Sequence, residues 1–173
     1  MKLSTLLAVF LTAVTISLPT NAALAHDYKL GTLEISQPWA RATPKGAETG
    51  AGYLTIKNTG STSDRLVSAS LSNAATAQIH QMTMDNGVMK MREVAGGIEI
   101  NPGETVTLGP NGYHIMFMGL KQPLVKGQTI QGSLSFERAG NISVEFEVAP
   151  AGSPGPQGAS QMQHDHMQMD HMH

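Results

Sequence analysis

Two short stretches hold side chains able to bind a soft metal. HQMTMDNGVMKM, residues 80–91, has one histidine and four methionines, and YHIMFM, residues 113–118, has one histidine and two methionines. Methionine often fills irregular gaps in a core, and a lone histidine often only makes hydrogen bonds. The same His-plus-Met pattern occurs twice, and a third time in QMQHDHMQMDHMH, residues 161–173. That recurrence favours metal binding over core filling. Thioether combined with imidazole selects Cu(I) over zinc, magnesium or calcium. The chain has no cysteine, so a thiolate copper site, a disulfide and thiol redox chemistry are all excluded. Neutral ligands leave a bound cuprous ion with net positive charge, which suits a site that must release its metal.

The first stretch needs a β-hairpin to position it. Asn86-Gly87 is a strong signal for a two-residue type I′ turn. Such a turn pairs Asp85 with Val88, Met84 with Met89, Met82 with Met91 and His80 with Glu93. Side chains alternate between faces along a strand. His80, Met82, Met84, Met89 and Met91 therefore share one face, with Ile79 and Val88 on the other. In residues 113–118, Tyr113, Ile115 and Phe117 point into a core, and His114, Met116 and Met118 point outward.

The rest of the chain reads as short strands separated by turn residues. They are expected at 29–36, 52–57, 65–71, 77–84, 88–94, 105–108, 113–118, 128–136 and 142–148. No segment has a sustained helical apolar period, so an antiparallel sandwich or small barrel is expected. Residues 1–25 read as a cleavable signal peptide: Lys2, an apolar run over 3–18, and the small residues Ala23 and Ala25 before a cut. The chain after the cut is expected to be periplasmic and not membrane-spanning. It has ten basic against 13 acidic side chains and no basic run, which argues against a nucleic-acid partner. Residues 26–149 form one copper-binding domain. A cut after Ala25 leaves His26 with a free α-amine beside its imidazole, a pair able to chelate Cu(II). Residues 150–173 comprise a Pro/Gly/Ser-rich linker and the His/Met tail.

At these residues the chain resembles the PCu(A)C family of periplasmic copper chaperones. His80 is followed by ten residues and Met91, then by twenty-two residues and His114-Ile-Met116. The second interval is one residue longer than the family's usual spacing. GVMKMREV (87–94) and PWARAT (38–43) are also similar to the family. The resemblance implies a cupredoxin-like β-sandwich and one Cu(I) held by His80, Met91, His114 and Met116. It also implies delivery of copper to a respiratory haem-copper oxidase subunit, alongside a Sco-type chaperone. The tail matches a subgroup with a His/Met-rich C-terminal extension.

In that tail, His164, His166, His171 and His173 supply nitrogen for Cu(II), and Met162, Met167, Met169 and Met172 supply sulfur for Cu(I). A flexible linker of about twelve residues spans roughly 20 Å, enough to bring the tail to the domain's own site. The alternative is a copper-sequestering or scavenging protein without a dedicated acceptor. No GxSxG elbow, phosphate-cradling glycine loop or nucleophile–base pair suggests an enzyme.

Overall fold

Alternating apolar and polar residues become alternating burial along most of the chain. The computed structural model describes residues 27–155; residues 1–26 and 156–173, which include His26 and the His/Met tail, lie outside them. The described residues form eleven strands: β1 (Asp27–Leu30), β2 (Leu33–Arg41), β3 (Thr49–Asn58), β4 (Asp64–Leu71), β5 (Thr76–Asp85), β6 (Val88–Glu93), β7 (Ile98–Ile100), β8 (Thr105–Leu108), β9 (Tyr113–Met118), β10 (Thr129–Phe136) and β11 (Gly140–Ala149). The hydrogen-bonded order is β6-β5-β9-β3-β2-β11-β10-β4-β7, with β1 added on β2 and β8 on β3. All pairings are antiparallel except β2 with β11, which run parallel. The fold is the cupredoxin-like β-sandwich expected.

Partner changes along two strands close the sandwich. The first half of β2 pairs with β1, and Trp39 to Arg41 then pair with β11. Between the halves the register shifts, and Gln37 takes a positive φ of 51°. The first half of β3 pairs with β9 and its second half with β8. β4 and β5 then lie against each other without pairing. The enclosed core includes Ile35, Ile56, Leu66, Ile115, Phe117, Leu134 and Phe146. Burying each such side chain contributes about 1.5–3 kcal/mol. Phe117 meets Phe146 edge to face, with ring centroids 5.5 Å apart. Gly52 makes that packing possible, because a Cβ there would lie 2.5 Å from the Phe117 ring.

The expected strands appear, with two corrections. Residues 29–36 are not one strand. Gly31, at φ 60°, and Thr32 turn the chain, and Leu30 pairs with Leu33. The alternation of Lys29 to Ser36 ran across a tight turn that only its glycine marked. β7 was not anticipated. It is three residues long between glycine-containing turns, too short to show a period. Its two isoleucines are nonetheless buried.

Buried polar side chains brace the turns. The Asn58 amide donates to the carbonyls of Thr62 (2.8 Å) and Ile100 (3.1 Å), and its oxygen accepts from Gly60 N (2.9 Å). Asp64 is 8% exposed, and its carboxylate accepts from the backbone N–H of Arg65 (2.7 Å), Arg138 (2.9 Å) and Ala139 (2.9 Å). Asp64→Ala strands those amides and is expected to cost roughly 2–4 kcal/mol. Urea unfolding should show a lower midpoint with an unchanged slope. An unchanged midpoint would mean the carboxylate braces nothing.

Candidate metal centre

The hairpin register is the one the Asn-Gly turn requires. Asp85 pairs with Val88, Met84 with Met89, Met82 with Met91 and His80 with Glu93. Asn86 (φ 51°) and Gly87 (φ 79°) both have the positive φ of a type I′ turn. β5 is also hydrogen-bonded to β9 on its other side. That pairing sets His80 directly against His114 and Gln78 against Met116. The three strands β6, β5 and β9 thus carry one continuous outer face. Ile79, Ile115 and Phe117 point the other way and are buried.

On this face His80 is central. Its ring and that of His114 meet edge to face, with centroids 5.8 Å apart. Met91 and Met116 occupy the diagonal positions next to His80 on β6 and β9. Diagonal neighbours in an antiparallel pair sit about 7–8 Å apart, within reach of long side chains. The structure therefore brings the strand positions of His80, Met91, His114 and Met116 together. Met118 lies further along β9, opposite Thr76 and Thr49. His26 and the tail residues His164, His166, His171, His173, Met162, Met167, Met169 and Met172 lie outside the described residues.

The hydrogen bonds assign one free nitrogen to each imidazole. His114 Nδ1 lies 3.2 Å from the Gly112 carbonyl, which can only accept, so Nδ1 carries the proton and Nε2 keeps its lone pair. The same carbonyl accepts from Met82 N–H at 3.1 Å. His80 Nε2 lies 3.0 Å from Gln78 Oε1, which leaves the lone pair on Nδ1. That Nδ1 is buried and has no hydrogen-bond partner. A buried, unpartnered acceptor costs about 1–3 kcal/mol unless something occupies it. Metal-bound histidines characteristically donate their other N–H to an oxygen in this way.

One expectation needs refining. His114 is on the outward face, as the alternation required, yet it is only 5% exposed. Trp39 pairs with Tyr53, their rings tilted by 34° with centroids 4.3 Å apart. The β3–β9 pairing ends at Gly52–Ile115, and Tyr53 and His114 are the next residues on the two strands. The Arg41 guanidinium lies 5.7 Å from the Tyr53 ring centroid and donates to the Ser153 carbonyl at 3.0 Å. This aromatic wall and the ring contact of Gln78 with His80 were not assigned from sequence. PWARAT carried the only hint of the wall, and nothing in the local pattern marked Gln78. No group of three or more His, Cys, Asp or Glu comes together among the described residues. A metal held here would need the thioethers.

The fold is that of solved PCuAC domains. The model of the family described as "Putative lipoprotein LpqE-like" matches residues 33–148, and the chain belongs to that family. A protein of Leifsonia xyli subsp. xyli described as a "Putative lipoprotein" is 36% identical over 138 residues, 80% of this chain and 81% of that one. An uncharacterized Rickettsia prowazekii protein is 33% identical over 116 residues, 65% of this chain and 64% of that one. Among solved structures, the apo PCuAC domain from PmoF1 superposes with a TM-score of 0.62 at 26% identity, covering 72% of this chain and 99% of that one. The Cu(I) form of DR1885 from Deinococcus radiodurans gives 0.56 at 26% identity, covering 75% and 83%.

Burial holds the His114 pKa below its ordinary value; the charge on His80 acts the same way and the Gly112 hydrogen bond opposes it. As pH falls through about 6.5, the unfolded chain takes up a proton that folded His114 refuses. Its contribution to stability is therefore complete above that pH and declines below it. In an NMR titration of the apo chain, the His114 ring is expected to titrate below a free histidine. A midpoint at or above the free value would contradict burial as the controlling effect.

Proposed function

We propose that this chain is a copper metallochaperone of the periplasm: a non-catalytic carrier that binds one Cu(I) through His80, Met91, His114 and Met116. In this reading residues 1–25 export the chain, residues 26–149 hold the copper and residues 150–173 carry a second set of ligands. The observation that carries the reading is the buried, unpartnered Nδ1 of His80 beside His114. Two imidazoles, each with one lone pair set by a hydrogen bond to its other nitrogen, are prepared for a cation. Thioethers on the flanking diagonals make that cation a soft one. The similarity to a protein solved in its Cu(I) form supports the same choice.

Delivery to an acceptor fits better than storage. Met91 is 50% exposed and lies on β6, every residue of which is exposed. A partner can approach copper from that side and displace the sulfur first. The proposed acceptor is a haem-copper oxidase subunit, supplied together with a Sco-type chaperone. Storage without an acceptor would favour a closed site.

The tail supplies the capture step. His164, His166, His171 and His173 take Cu(II), and Met162, Met167, Met169 and Met172 take Cu(I). Arg41 ties the Ser153 carbonyl beside Tyr53, on the face that carries His114. Met162 follows Ser153 by nine positions, enough chain for the tail to meet the site in the same molecule.

Replacing Met91 and Met116 together by Leu, in a chain ended after Gly155 that keeps all eleven strands, tests the site. Cu(I) affinity measured against a competing chelator should fall by more than roughly 100-fold, with the circular dichroism unchanged. X-ray absorption of the parent should show sulfur around copper. Nitrogen-only scattering, or unaltered affinity, would overturn the ligand set. The tail is tested by loading the full chain with Cu(II) and adding a mild reductant. Copper should move to the His80–Met116 site; loss to bulk chelator as fast as from an isolated tail peptide would end the capture role.

A further inference from the structure

The hairpin carries three thioethers that the four-ligand site leaves unused. We propose that Met82, Met84 and Met89 form a second, weaker Cu(I) site at the hairpin tip, made of sulfur alone. Met84 faces Met89 directly, and Met82 faces Met91, which places Met82 diagonal to Met89. All three lie on one face by strand alternation. Their backbone positions are about 5–8 Å apart, so three long side chains can converge on one ion.

These methionines are not core fillers. None belongs to the buried apolar cluster or packs against it. Met84 is 65% exposed and Met89 45% exposed. β6 ends the hydrogen-bonded path and pairs with β5 alone, so β9 does not cover the tip. Nor is the hairpin generally rich in sulfur. Its other face, in the same stretch, presents Thr83, Asp85, Lys90 and Arg92 beside a single exposed apolar residue, Val88, with an ion pair between Lys90 and Asp85. One face is an ordinary solvated surface, and the other is thioether. Exposed methionine gains little from burial, and polar residues would serve a solvated edge better.

The chemistry follows from the donors. Thioether is a soft, uncharged ligand that favours Cu(I) and discriminates against the hard cations of the surroundings. Three neutral sulfurs with no imidazole and no anion hold the ion less firmly than the His80 site. Met84 is four residues from His80, roughly 13 Å along the strand, so the two ions would be distinct. The Met82–Met91 pair lies between them and gives copper a route from the tip to the histidines. The tip site rests on its own sulfurs and does not require the four-ligand site to be correct.

The test uses the full chain with carbon-13-labelled methionine methyl groups, each assigned by a single Met→Leu variant, titrated with Cu(I). The first equivalent is expected to move the Met91 and Met116 methyls. Further Cu(I) should move those of Met82, Met84 and Met89 together. M84L/M89L should bind one Cu(I) fewer per chain while the first equivalent binds as before. If the three hairpin methyls stay still while the tail methyls shift to saturation, the tip site does not exist. Shifts that follow protein concentration rather than copper would assign the patch to self-association and overturn the proposal. Movement of the hairpin methyls with Met91 and Met116 unmoved would keep the tip site and discard the four-ligand one.

Discussion

The register of β5 against its two neighbours is the constraint on which the site depends. A slip of one residue against β6 or β9 would turn His80 away from Met91 or from His114, because side chains alternate with a period of two. Two devices hold the register. Asn86-Gly87 closes the β6 side through a turn in which both residues have positive φ. On the β9 side, burial of Ile79 opposite Ile115 fixes which face turns inward. A slip there would expose isoleucine and bury histidine or glutamine. The hydrophobic core therefore determines the metal face by requiring the opposite one.

Burying one histidine has a consequence for its charge. His114 is buried, with the His80 ring edge to face against it, on a face that is otherwise partly open. Removal from water disfavours the imidazolium, and a second imidazole close by does the same. Neutral imidazole is also the form a metal needs. The same burial that excludes water thus favours the form of His114 that the proposed ligand role requires. His80 is less enclosed, but its Nδ1 is buried without a partner. The pair is a strained arrangement in hydrogen-bonding terms, and it lies where the soft donors gather.

How much of this was legible in the sequence follows from the range of each interaction. The hairpin register was legible because an Asn-Gly turn sets pairing over ten residues. The inward and outward faces of residues 113–118 were legible from alternation alone. The pairing of β5 with β9 was not: His80 and His114 are 34 positions apart, and no local rule sets a register over that distance. The resemblance to copper chaperones implied that His80 and His114 act together, and the structure shows the pairing that puts them side by side. Gln78 and Tyr53 escaped notice for the same reason. Each matters through a neighbour that only the folded sheet supplies. The turn at Gly31-Thr32 was hidden because the residues on both sides continued one alternation.

Ligand exposure connects the fold to transfer. In a carrier the metal must be held against water yet surrendered to a partner, so the ligands cannot be equally buried. The outer face is graded in this sense. His114 is enclosed, His80 is partly covered, Met91 is half exposed, and Met84 at the tip is mostly in solvent. Edge strand β6 has no neighbour beyond it, so the exposed side of the gradient is also the open edge of the sheet. An incoming ligand would meet thioether first and imidazole last. Thioether is uncharged and flexible, and it can leave without a proton being moved. The two histidines, fixed by their hydrogen bonds, would keep the ion in place until a stronger donor had already bound it. An edge strand rich in methionine, which would be a liability in an ordinary sandwich, would under the proposed function be the side from which copper is exchanged.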